Sequence, residues 1–153
     1  MQTYIVLKNY NIENIYFLSP QANKIIQKSN YIKFIYSNEL VTLNGIFFYI
    51  ELPIKDIDNK YNRYVVTFDL QKFKLYDTII EFEEKILNKY SVDKIKQFNL
   101  KKQINSGKLS FYSNSLIKPY LQTLPFVLKI SGIWESQTEI GLSYKIINVN
   151  HQL

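Results

Sequence analysis

The chain has 153 residues, of which 46% are hydrophobic and 21% charged, the balance of one globular domain rather than of a disordered segment. It carries 19 Lys plus Arg against 13 Asp plus Glu, a formal charge of +6, and Arg63 is its single arginine. Cysteine is absent and His151 is the sole histidine, which excludes disulfides, cysteine nucleophiles and thiolate or multi-histidine metal sites, and the position of His151 argues against a Ser-His-Asp triad in an ordered core.

Residues 1–8 lack the basic and long apolar regions of an export signal, and no run approaches the roughly 18 apolar residues of a membrane span. An intracellular, soluble protein without membrane contacts is expected. Residues 4–8 and 12–18 read as short strands. Residues 19–24 read as a break, followed at most by one helical turn. A strand is expected at 31–36, and the turn-like Asn44-Gly45 leads into another at 47–52. Residues 53–62, with Asp56, Asp58 and Asn59, read as a polar loop. The β-branched and aromatic run 63–69 reads as a buried strand.

One helix is expected at about residues 77–90. Thr78 and Glu81 have the spacing of a capping box, and Ile79, Phe82, Ile86, Leu87 and Tyr90 recur on one helical face. Glu83, Glu84, Lys85 and Lys89 fall largely on the other side. Phe98, Leu100 and Ile104 share a parity and read as a strand. Asn105-Ser106-Gly107 reads as a turn, with Leu109 and Phe111 in the return strand. A strand at 126–134, bent at Gly132, pairs with 141–149 across the polar turn 135–138. The order predicts a single α+β domain over residues 1–153, β-dominated: an antiparallel sheet or OB-like barrel with one packed helix.

Residues 94–134 hold seven lysines and no acid. Among the lysines stand Phe98, Phe111, Tyr112, Tyr120, Phe126 and Trp134. Lysines neutralise phosphates, and aromatic rings stack on unpaired bases whatever the sequence. The scarcity of arginine argues against base reading, which favours its planar fork. Strand parity turns Lys108, Tyr112, Lys129 and Lys145 outward, and one exposed row that combines them is geometrically possible. The candidate nucleic-acid-binding residues are Lys101, Lys102, Lys108, Tyr112, Lys118, Tyr120, Lys129, Trp134 and Lys145. Tryptophan is usually well buried, so a core role competes for Trp134. The same face also reads as an ordinary solvated sheet surface, or as one that binds protein partners.

No catalytic, metal or cofactor site is expected. Asp69 with Glu83-Glu84-Lys85 resembles the Asp…Glu-x-Lys arrangement of metal-dependent nucleases. In that family the Glu-x-Lys lies on a strand, whereas here it falls on the helix. The four glycines are too scattered for a phosphate-binding loop.

Residues 126–135, FVLKISGIWE, with 140–145, IGLSYK, resemble the C-terminal segment of small proteins of large double-stranded DNA viruses of algae and amoebae. Residues 37–49, with TLNGI at 42–46, fit the same pattern. The resemblance implies a viral replication site or a virion, both rich in DNA, with replication or virion proteins as partners. It brings no activity or functional residues. The expectation is a non-enzymatic, sequence-independent single-stranded DNA-binding protein active in DNA replication. The alternative is a viral structural or assembly protein that binds protein partners through an aromatic-rich sheet.

Overall fold

The computed structural model describes residues 10–114, 116–117 and 122–148. The strand expected at 4–8, and Lys118, Tyr120 and His151, lie outside them. Ten strands and two helices follow in chain order: β1 (Ile15–Phe17), β2 (Gln21–Ala22), β3 (Asn30–Ser37), β4 (Thr42–Leu43), β5 (Ile46–Lys60), β6 (Arg63–Phe68), α1 (Tyr76–Lys89), β7 (Ile95–Gln97), α2 (Asn99–Asn105), β8 (Lys108–Tyr112), β9 (Thr123–Glu135) and β10 (Glu139–Asn148). The fold is α+β and β-dominated, as expected. Its sheet is open: among the described residues the path β1-β3-β9-β5-β6-β8 does not close into a barrel. All pairings are antiparallel except that of β7 with β10.

β9 organises this sheet. One edge pairs with β10 along its length. The other pairs first with β5, as far as Ile130, and then with β3 from Gly132. Ser131 falls at the exchange, and the register with β10 also shifts there, so the strand bulges. Gly45 permits the close approach at this junction. Its φ is +131°, and a Cβ there would lie 2.5 Å from the Ile130 carbonyl oxygen.

The polar run at 53–62 is not a loop. It completes β5, which leaves the main sheet and forms a hairpin arm with β6. The arm turns through Tyr61 and Asn62, at φ 52° and 65°, the paired positive values of a two-residue type I′ hairpin. Composition misleads here because Asp56 and Asp58 occupy exposed strand positions while Ile54 and Ile57 pack against the core.

Strand alternation gives the main sheet two faces. Phe34, Phe48, Ile50, Leu128, Ile130, Ile133 and Leu142 point inward and are buried. α1 covers them with Ile79, Phe82, Ile86 and Leu87, and α2 adds Leu100 and Ile104. Phe82 meets Tyr10 and Phe48 edge-on, with centroids 5.0 and 5.5 Å apart. Such pairs contribute about 0.5–1.5 kcal/mol beyond area burial.

α1 lies close to its expected span, but not for the expected reason. Leu75 occupies the N-cap without a side-chain bond, so Thr78 and Glu81 form no capping box. Glu81 instead pairs with Lys85 at 2.7 Å, one turn on. Asp77 in the first turn and Lys89 in the last complement the helix dipole. Residues 99–105 form the second helix where a strand was expected. Leu100 and Ile104 are four apart, a spacing that satisfies strand parity and a helical face alike.

Candidate nucleic-acid interface

The helix-free face of the main sheet carries the outward residues of β3, β5, β9 and β10. Tyr31 on β3 stands opposite Trp134 on β9, which stands opposite Gly141 on β10. The Trp134 ring lies over Gly141: a Cβ there would meet its Cζ2, Cε2 and Nε1 atoms at 2.4–2.7 Å. Tyr31 reaches over Gly132, where a Cβ would lie 2.8 Å from its Cζ and hydroxyl. That hydroxyl is 2.9 Å from Ser131 Oγ, which fixes the ring. Both glycines are seats for rings, and both rings remain partly exposed.

Three lysines share this face. Lys33 lies opposite Gly132 on the β3 side. Lys129 and Lys145 lie directly opposite each other, in line with Phe47 of β5. Lys129 Nζ sits 5.5 Å from the Phe47 ring centroid. None of the three has an ion-pair partner among the described residues. Two acids share the face: Glu139 accepts from Gln97 Nε2 at 2.7 Å, and Glu51 accepts from the Tyr49 hydroxyl at 3.4 Å. The surface is predominantly, not purely, basic.

The expected site residues separate into three places. Lys129, Trp134 and Lys145 meet on the helix-free face. Lys101 and Lys102 lie exposed on α2, against the opposite face, where Lys102 Nζ donates to Gln97 Oε1 at 2.9 Å. Lys108 and Tyr112 lie exposed on β8, at the hairpin arm. Their cross-strand rows run Lys108–Thr67–Asp56 and Tyr112–Arg63–Lys60. Asp56 is nine positions along β5 from Phe47, a separation of about 30 Å. Lys108, Tyr112, Lys129 and Lys145 therefore do not form one row. Trp134 also departs from the core role, since it faces away from the helices.

No family model, curated protein or solved structure matches this chain.

Tyr31 and Lys33 belong to the face but lie outside the acid-free stretch that marks the other residues in the sequence. The alternation Tyr31-Ile32-Lys33 in a strand, and glycines inside strands, are the signals that mark them. The nuclease-like carboxylates have structural partners. Asp69 accepts from the Gln71 amide at 3.1 Å, and Lys85 pairs with Glu81. Glu83 is only 1% exposed, and its two oxygens accept from the Leu100 and Lys101 amides at 2.9 and 2.8 Å. It thereby caps α2, whose own N-cap, Phe98, offers no acceptor. Burial pushes the Glu83 carboxyl above its ordinary value, against the pull of those two amides. Among the described residues no group of three His, Cys, Asp or Glu side chains could hold a metal ion, and no helix is long and apolar enough to cross a membrane.

Proposed function

We propose that the chain binds single-stranded nucleic acid, without sequence preference, on the helix-free face of the main sheet. The observation that carries this reading is the pair of partly exposed rings over glycines, Tyr31 and Trp134, beside three lysines that have no ion-pair partner among the described residues. A ring held by backbone on one side offers its other side to a base. Each base stacked contributes about 1–3 kcal/mol. Lys33, Lys129 and Lys145 are placed to follow the phosphates. Like charges directly opposite on neighbouring strands are destabilising, so the Lys129–Lys145 pair favours an anionic ligand over a bare surface. The role is binding rather than catalysis.

The resemblance to proteins of large DNA viruses supports single-stranded DNA as the ligand, and a replication site or virion as the setting, with proteins of that setting as further partners. The assembly-protein reading has less support. The most exposed apolar side chains are divided among several places: Ile25 and Ile26 in one loop, Leu40 with Tyr16 at a pocket, and Tyr61 with Tyr112 at the tip of the arm.

Trp134 is the only tryptophan, so its fluorescence reports on the site alone. Titration with oligo-dT should quench it and raise the anisotropy of a labelled strand, more than a duplex control does. Binding should weaken with salt, and Trp134→Ala should weaken it at least about fivefold, one stacked base. Absence of binding at low salt would sink the reading and turn the search to protein partners.

A further inference from the structure

At the far end of the same face lies a cleft of about 470 Å³. Tyr49, Glu51 and Pro53 of β5 and Thr123 of β9 form one wall, and the segment 72–75 forms the other. Two lysines of that segment, Lys72 and Lys74, line the cleft, and both are exposed. Neither has an ion-pair or side-chain hydrogen-bond partner among the described residues. Phe73 and Leu75, between and beside them, turn into the core and anchor the segment. Glu51 is the one acid among the described lining residues.

The cleft continues the interface. Phe47, Tyr49, Glu51 and Pro53 form one outward row on β5, and they pair with Lys129, Val127, Pro125 and Thr123 on β9. Lys129 and Thr123 are six positions apart, or about 20 Å along the strand. A polyanion lying on the rings and lysines near Trp134, and running along β9, arrives at Lys72 and Lys74.

We infer that this cleft is a second phosphodiester-binding subsite, which grips the same single strand about 20 Å beyond Lys129. The inference rests on the function proposed above and adds a footprint and a direction to it. The lysines hold the backbone phosphates, while Tyr49 and Pro53 give the sugar–base edge an apolar wall. Glu51 opposes the bound charge and weakens this subsite.

The test is binding as a function of strand length. Oligo-dT of about 4 to 16 nucleotides, the span of single-domain site sizes, is titrated against wild type, the double variant Lys72→Glu/Lys74→Glu, and Trp134→Ala. Wild-type affinity should climb with length and level off once the strand reaches the cleft. The double variant should match wild type on the shortest strand and be at least about fivefold weaker on the longest. Its salt slope should be smaller by roughly 0.7 for each phosphate it no longer neutralises. Trp134→Ala should weaken binding at every length, and Glu51→Gln should tighten binding of long strands alone. Far-UV circular dichroism checks that each variant is folded. A double variant that follows wild type at every length overturns the second subsite and leaves the first intact. Wild type that binds no oligomer at all overturns both.

Discussion

The two faces of the main sheet are made by the same strands and differ by one residue in register. On the helix-covered side several polar groups are engaged. Glu83 holds two amides of α2, Lys94 lies 3.2 Å from Glu135 and donates to the Ser136 carbonyl, and Lys96 donates to Asn88. On the bare face Lys33, Lys129 and Lys145 have no counter-ion among the described residues, and two of them stand opposite each other. The rings differ too. Phe48 and Phe82 meet edge-on within the core, whereas Tyr31 and Trp134 lie over glycines. The contrast between the faces thus lies in the three lysines of the second, which have no ion-pair partner among the described residues. Substitutions on the two faces should therefore act on different observables.

The largest effect belongs to the core. Phe82→Ala should destabilise by about 3–5 kcal/mol in urea unfolding, through reduced burial and the cavity left between Tyr10 and Phe48. A comparable loss from Trp134→Ala would erase the distinction between the faces.

Next comes Glu83. Glu83→Ala leaves two amides of α2 without acceptors and should cost about 1–3 kcal/mol. Its titration gives a sign. The folded carboxyl titrates above its ordinary value of 4.5, so the folded state holds the proton more tightly than the unfolded chain does. That contribution is complete below the unfolded value and is lost as pH rises through the raised folded one. The stability of wild type relative to Glu83→Gln should accordingly fall as pH climbs through this window and level off above it. A relative stability that rises instead would show that the two amide bonds outweigh burial.

Gly141→Ala sharpens the comparison from the other side. The new methyl would meet the Trp134 ring at 2.4 Å, so the ring must leave its seat. Oligonucleotide binding should fall several-fold, with a shift in Trp134 emission in the free protein. Unchanged emission would mean that the ring is not seated on Gly141.

The smallest expected change in stability is the most discriminating. Lys145→Glu replaces a like-charged cross-strand pair by an opposite one and should stabilise by about 0.2–1 kcal/mol. The same substitution should weaken single-strand binding. A stability gain with binding intact would remove Lys145 from the interface.

The apolar strands and α1 were legible because their apolar residues repeat at a period that only one element satisfies, whereas the polar end of β5 reads as a loop. Leu100 and Ile104 show where that fails, since a spacing of four fits both periods and the deciding hydrogen bonds come from Glu83 on another helix. The capping box at Thr78 failed because chain entry at Leu75 is set by the packing of Phe73 and Leu75 on the core, not by a local cap. The candidate interface was half legible. Lys129 and Lys145 share one hairpin, so parity aligned them, whereas Trp134 has the opposite parity to Lys129 and joins them only through the bulge at Ser131. Tyr31 and Lys33 arrive through a pairing about a hundred residues long-range, which no local pattern encodes. Lys108 and Tyr112 were misplaced because β5 bends away into the arm, and parity fixes the side a residue faces but not its distance from another strand.

β9 has a further consequence, in the order of assembly. It comes late in the chain, yet β3, β5 and β10 all depend on it for their place in the sheet. During synthesis β3 and β5 emerge long before it, with Phe34, Phe48 and Ile50 still lacking the strand that joins them. Pairings so distant in sequence make folding slow, because loop closure must come before the reward. The helix-free face is thus among the last features to form, and a nascent chain halted before residue 123 has neither the Trp134 ring nor a joined sheet.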